Sequence, residues 1–251
     1  MKGMCLALVA VTSISAPAWA EDDRGFYGSL RVGVQTTSDI GYNFTVDEYG
    51  TSDVDLWTSL NDTLTSKIKV KSNPEFTGVI GYDFGPVRTD IELGFGKSSF
   101  STWTFTSVNG APLTAAQAAD ICSGISELSC STTGNVAKFD IKTSNMRRIS
   151  AMASVWLDIP VKAGLQPYVG GGLGFTSIRY EDSGEKFGSH TAFSWQVGGG
   201  LIVPVGKRIS LSADYRFRHT QGGTHGGAWT DGKGIDAIKS HQFSVGLAVK
   251  L

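Results

Sequence analysis

The final eleven residues, His241 to Leu251 (HQFSVGLAVKL), alternate without a break. Phe243, Val245, Leu247, Val249 and Leu251 are separated by Gln242, Ser244, Gly246, Ala248 and Lys250. A period of two gives an extended strand one apolar and one polar face. About ten such residues, tilted, suffice to cross a bilayer core. A soluble edge strand could show this pattern once, so its recurrence along the chain decides what it means.

Seven further runs repeat it, near 26–36, 73–84, 87–96, 144–159, 165–179, 191–204 and 207–219. In the third, Val87, Ile91, Leu93 and Phe95 oppose Arg88, Asp90 and Glu92; in the seventh, Ile209, Leu211, Tyr215 and Phe217 oppose Asp214, Arg216 and Arg218. The links after the second, fourth and sixth runs are short (85–86, 160–164 and 205–206). Those after the first, third, fifth and seventh are long (about 37–72, 100–143, 180–190 and 220–239). Short turns on one rim and long loops on the other characterise outer-membrane barrels, with the short side periplasmic.

The charges separate a lipid-facing barrel from a water-facing one. Arg31, Arg88, Arg148, Arg216, Arg218 and Lys250 share the polar face with Glu75, Asp83, Asp90, Glu92, Asp158 and Asp214, while the other face is almost uncharged. A soluble barrel would carry its charges outside. The expectation is therefore an all-β fold, an eight-stranded antiparallel transmembrane β-barrel with short periplasmic turns and long extracellular loops. Lys97 and Arg147 are exceptions on the apolar face, placed near the long-loop rim where a long cation can snorkel into head groups.

Eight strands leave an interior just wide enough for side chains. With equal numbers of opposite charges inside, Arg31, Arg88, Asp90, Glu92, Arg148, Asp214, Arg216 and Arg218 are expected to form a lumen network that plugs the barrel. The alternative is a narrow charged pore, that is, a small diffusion porin. Aromatics near the strand ends (Phe26, Tyr82, Phe84, Phe175, Trp195 and Phe217) fit head-group girdles, and ordinary strand propensity would also place them there.

Lys2, the apolar stretch Met4 to Ile14, and Ala18-Trp19-Ala20 before Glu21-Asp22-Asp23 form the pattern of a secretory signal peptide over residues 1–20, leaving 21–251 as one barrel domain. Export agrees with the cysteines. Cys122 and Cys130 are the two left after cleavage, and in an oxidising compartment a local disulfide pinning a loop is expected. Metal binding by this pair is the weaker reading, with no histidine nearby. A net charge of −1 supplies no basic field for nucleic acid. No residue pattern calls for a cofactor.

Phe26-Tyr27-Gly28, Gly81-Tyr82-Asp83-Phe84 with IELGFG at 91–96, QPYVGGGLGF at 166–175, ADYRF at 213–217 and the terminal strand resemble the small bacterial outer-membrane β-barrel proteins that include surface antigens and opacity-type proteins. The resemblance spans the whole mature chain. It implies an integral outer-membrane location, outer-membrane lipid and lipopolysaccharide as surroundings, barrel-assembly machinery as a partner in biogenesis, and loops facing the exterior. Many such barrels end in Phe where this chain has Leu251.

Any specific role is then expected in the long loops, through a structural and surface-interaction (adhesin- or antigen-like) function. Trp57, Trp103, Phe105 and Trp229 are candidate contact residues for an extracellular ligand; packing of each loop on itself is the competing reading. Within the second loop, PLTAAQAADIC suggests a short helix tied by the cysteine bridge. RFRHT at 216–220 resembles the histidine segment of lipid A deacylases, but Gln221 stands where that family has its serine. Thr220 is a poor substitute, because adjacent strand residues face opposite ways. Catalysis is not expected.

Overall fold

Eight of the alternating segments close a ring in the computed structural model, which describes residues 24–45, 62–124, 128–161, 164–224 and 234–251. They are β1 (Gly25–Thr37), β2 (Asn73–Asp83), β3 (Val87–Val108), β4 (Asn145–Asp158), β5 (Gln166–Asp182), β6 (Glu185–Pro204), β7 (Ile209–Thr220) and β8 (Ile238–Lys250). Each pairs antiparallel with the next, and β8 returns to β1, with Tyr27 opposite Lys250 and Thr37 opposite Ser240. Closure gives each strand a partner on both sides, as hydrocarbon surroundings require.

The wall is inside out relative to a soluble barrel. Leu30 and Ile80 on the outside are 74% and 68% exposed, whereas Glu92 and Arg216 on the inside are 1% and 2% exposed. Inward glycines on β5 and β6 make space for the bulky lumen residues. A Cβ on Gly174 would lie 2.8 Å from the Met152 Sδ, and one on Gly170 2.8 Å from the Trp156 ring.

At the short-turn rim, β2 passes into β3 through Gly85, whose φ of 103° excludes most other residues, and the Phe84 amide bonds the Val87 carbonyl at 2.9 Å. Phe26 packs edge-on to Tyr82, and Tyr82 against Phe84.

At the opposite rim the long connections carry more strand than the alternating runs alone indicate. β5 and β6 continue as one hairpin through 180–190, joined at Ser183 and Gly184, which both have positive φ (49° and 92°) as a tight two-residue turn requires. β3 likewise runs on to Val108. Beyond Ser99 it exchanges its barrel partners for Thr63–Val70 on one side and Ala137–Asp140 on the other. Thr63–Val70 continues to Ile40–Thr45, and Ala137–Asp140 to Cys130–Thr132, giving a second sheet that shares β3 with the barrel.

The faces also exchange character there. Outward residues change from Phe95, Ile149 and Phe175 to Lys97, Arg147 and Arg179, while inward ones become Phe100, Met146, Ile178 and Tyr180. These pack with Ile40, Val70 and Ile238 as an apolar cap inside the upper barrel.

Candidate functional site

The lumen is filled in tiers by residues that the strand period directs inward. Nearest the short turns, Arg88 grips Asp158 with two hydrogen bonds (Nε 2.8 Å, Nη2 2.7 Å) and lies over the Tyr168 ring. One step up, Asp90 accepts from Tyr27 (2.9 Å) and from the Trp156 indole (3.0 Å).

The middle tier centres on Glu92. One carboxylate oxygen accepts from Ser154 (2.9 Å) and Gln196 (2.6 Å), the other from Arg31 (3.1 Å) and Arg216. All four acceptor directions of an ionised carboxylate are thus used. Arg216 also donates to Asp214 (3.0 Å), which accepts in turn from Ser244 (2.9 Å), and its guanidinium lies 4.7 Å from the Trp156 ring centre.

Above it, Glu75 meets Arg218 (3.2 Å) and Arg148 (3.6 Å). Arg218 spans to Gln196 and Ser150, both at 3.0 Å, and Arg148 donates to Thr37 (2.9 Å) and Gln35. Residues from all eight strands therefore tie the wall together through its centre. A buried pair of this kind gains little over an apolar filling, but stripping one partner leaves a charge stranded.

The structure brings together the eight lumen residues singled out in the sequence. Sequence reasoning missed Gln196, Ser154, Tyr27 and Ser244, which link the charges; their inward parity was visible, their cross-lumen partners were not.

The candidate loop residues fare differently. Phe105 is buried and Trp103 half-buried in a small core with Leu113, Ala118, Ile121, Ala137 and Phe139, so these two are corrected from contact surface to loop interior. Trp57 and Trp229 lie outside the described residues.

α1 (Ala115–Gly124) covers this core. Its start is set by a reciprocal cap: the Gln117 amide donates to the Thr114 hydroxyl (3.2 Å) and the Thr114 amide to the Gln117 side chain (2.8 Å). The Cys122–Cys130 disulfide ties the helix to the strand Cys130–Thr132. His219 stacks outward on Trp195 while Thr220 points inward to Ser194 (2.9 Å), so the two do not meet. Among the described residues no group of three or more His, Cys, Asp or Glu side chains is arranged to hold a metal ion.

Compared with known families, residues 6–250 match the outer membrane protein beta-barrel domain. The chain belongs to that family. As a member of it, the protein is an integral outer-membrane β-barrel. Similar solved structures include Neisserial surface protein A (15% identity, 90% of this chain and 97% of that one, TM-score 0.49) and AlkL (16%, 96% and 98%, 0.43). OprG from Pseudomonas aeruginosa is a third (11%, 91% and 97%, 0.42). No curated protein sequence matches the chain. Within this family the tiered lumen and the loop sheet are the two features of this chain that its residues can put to use.

Proposed function

We propose that this family member is a structural, non-conducting and non-catalytic barrel that presents its loop sheet on the cell exterior for surface interactions. The observation that carries this reading is Glu92, saturated by four donors from β1, β4, β6 and β7 and buried to 1% exposure, so that a cross-linked side-chain network spans the lumen at its level. The apolar cap around Phe100, Met146 and Ile178 supports it as a second layer above the charges. A barrel braced in this way is a rigid base for loops.

The test is single-channel conductance of the refolded mature chain in a planar bilayer, beside Asp214→Ala. A silent membrane with correctly folded protein is expected. Reproducible steps altered by the substitution would instead establish the small diffusion porin. The interaction half of the reading fails if replacing the loops leaves every surface interaction of the cell unchanged.

A further inference from the structure

On the outer wall, three cations stand on adjacent strands. The register places Lys97 on β3 directly opposite Arg147 on β4, and Arg147 directly opposite Arg179 on β5. All three are exposed. Like charges at opposed positions of a sheet repel one another. The acid bonded to this row is Glu181, which pairs with Arg147 at 2.9 Å; among the described residues Lys97 and Arg179 have no ion pair.

The surroundings of the row are graded. One step toward the membrane, Phe95 faces Ile149 and Ile149 faces Ser177, and a further step down β5 Phe175 lies opposite Ala151; Phe95, Ile149 and Phe175 are the last large apolar residues on the outward face of their strands. One step the other way, Ser99 donates to Asn145 at 3.0 Å, and Asn145 lies opposite Glu181. Higher still, the register slips by one residue at Ser101, so Trp103 and Phe105 turn to the inward side with Ile68, and Thr102 and Thr104, opposite the exposed Lys69 and Lys67, continue the outward face.

We propose that this strip is a docking site for a phosphorylated glycolipid of the outer leaflet. The acyl chains lie against Phe95, Ile149 and Phe175, a phosphate sits on Lys97, Arg147 and Arg179, and the sugar hydroxyls face Ser99 and Asn145. Guanidinium groups suit phosphate oxygens in paired hydrogen bonds. A bound anion also relieves the repulsion within the row. A phospholipid would meet the cations but leave the polar wall above them unused. The assignment rests on the long-loop rim facing the exterior, and its test is independent of conductance and of any loop partner.

The full mature chain in detergent micelles is titrated with bisphosphorylated lipid A, with the same lipid dephosphorylated, and with phosphatidylglycerol, and complexes are counted by native mass spectrometry. The variant is Lys97→Gln/Arg179→Gln, which keeps the Arg147–Glu181 pair. Lys239→Gln, which removes an exposed cation of β8, is the control for general electrostatics.

At least tenfold weaker binding of bisphosphorylated lipid A by the double variant is expected, with no change in the control and at least tenfold preference for the phosphorylated over the dephosphorylated lipid. Without lipid, the double variant should unfold at a higher temperature than the parent. Equal binding by parent and variant, or indifference to the phosphates, overturns the site. Equal competition by phosphatidylglycerol overturns the glycolipid assignment in favour of any anionic lipid. A lower unfolding temperature for the variant shows that the row serves to hold the wall together and overturns the site as well.

Discussion

Ile91 and Glu92 are neighbours on β3 that live in opposite solvents. Ile91 is 63% exposed to the lipid side, and Glu92 sits in the lumen with four donors. Replacing Glu92 by Gln keeps the shape but removes the charge that Arg31 and Arg216 share, and about 3–5 kcal/mol of stability should be lost. Placing a charge one residue earlier, as Ile91→Arg, should cost about 2–4 kcal/mol near the membrane midplane. Urea unfolding in lipid vesicles reads both. A Glu92→Gln barrel as stable as the parent would mean that the network fills space without bracing the wall. At this scale the sequence was legible where residues are charged, because charge on a strand in a membrane points inward. It was silent on Gln196 and Ser154, whose neutral side chains carry no sign of the partner they reach across the lumen.

Eight strands were legible because the alternation has one polarity throughout the lipid. The upper ends of β3, β5 and β6 were not, because there the polarity reverses while the period continues: Lys97 and Arg179 turn outward as Phe100, Ile178 and Tyr180 turn inward. Read with the rule for membrane strands, such a segment looks like the end of a strand; read with the rule for soluble ones, it is a strand that has left the bilayer. Trp103 and Phe105 were misplaced for a second reason: a bulge at Ser101 shifts the register by one residue and turns them to the inward side, where α1 covers them. Where β5 meets β6 above the membrane, the Asp182 carboxylate accepts from Thr143 and Ser144, both at 2.7 Å, and these bonds hold its pKa below the ordinary carboxylate range. A depressed folded pKa means that this tether contributes fully above an unfolded value of about 4 and is lost as pH falls through the folded value. Hydrogen exchange at the hairpin tip, corrected for intrinsic rates, should show less protection at about pH 2.5 than at about pH 5. In Asp182→Asn the two should be equal.

The molecule as a whole is two structures sharing one strand. The ring from Val87 to Ser99 closes on β4, and the apolar cap uses Phe100 and Met146, whereas the small core around Phe105, Leu113, Ile121 and Phe139 lies wholly beyond Thr102. Thr102 and Asp140 are directly paired, and Trp103 faces Phe139 in the next rung. Replacing residues 103–139 by Asn-Gly should therefore end β3 in a two-residue hairpin of the favoured kind. It removes α1 and the Cys122–Cys130 bridge together. If the barrel is an independent base, the shortened chain still folds into vesicles and its unfolding free energy stays within about 1 kcal/mol of the parent, since distant sites without shared partners contribute additively. The helical circular dichroism should vanish while the strand signal remains. Any surface interaction made by the second loop should disappear in the same variant with the barrel intact, which separates loss of a partner from loss of the fold. Failure of the shortened chain to insert would mean that the loop core is needed to close the ring between β3 and β4, and the division into base and presented sheet would fall.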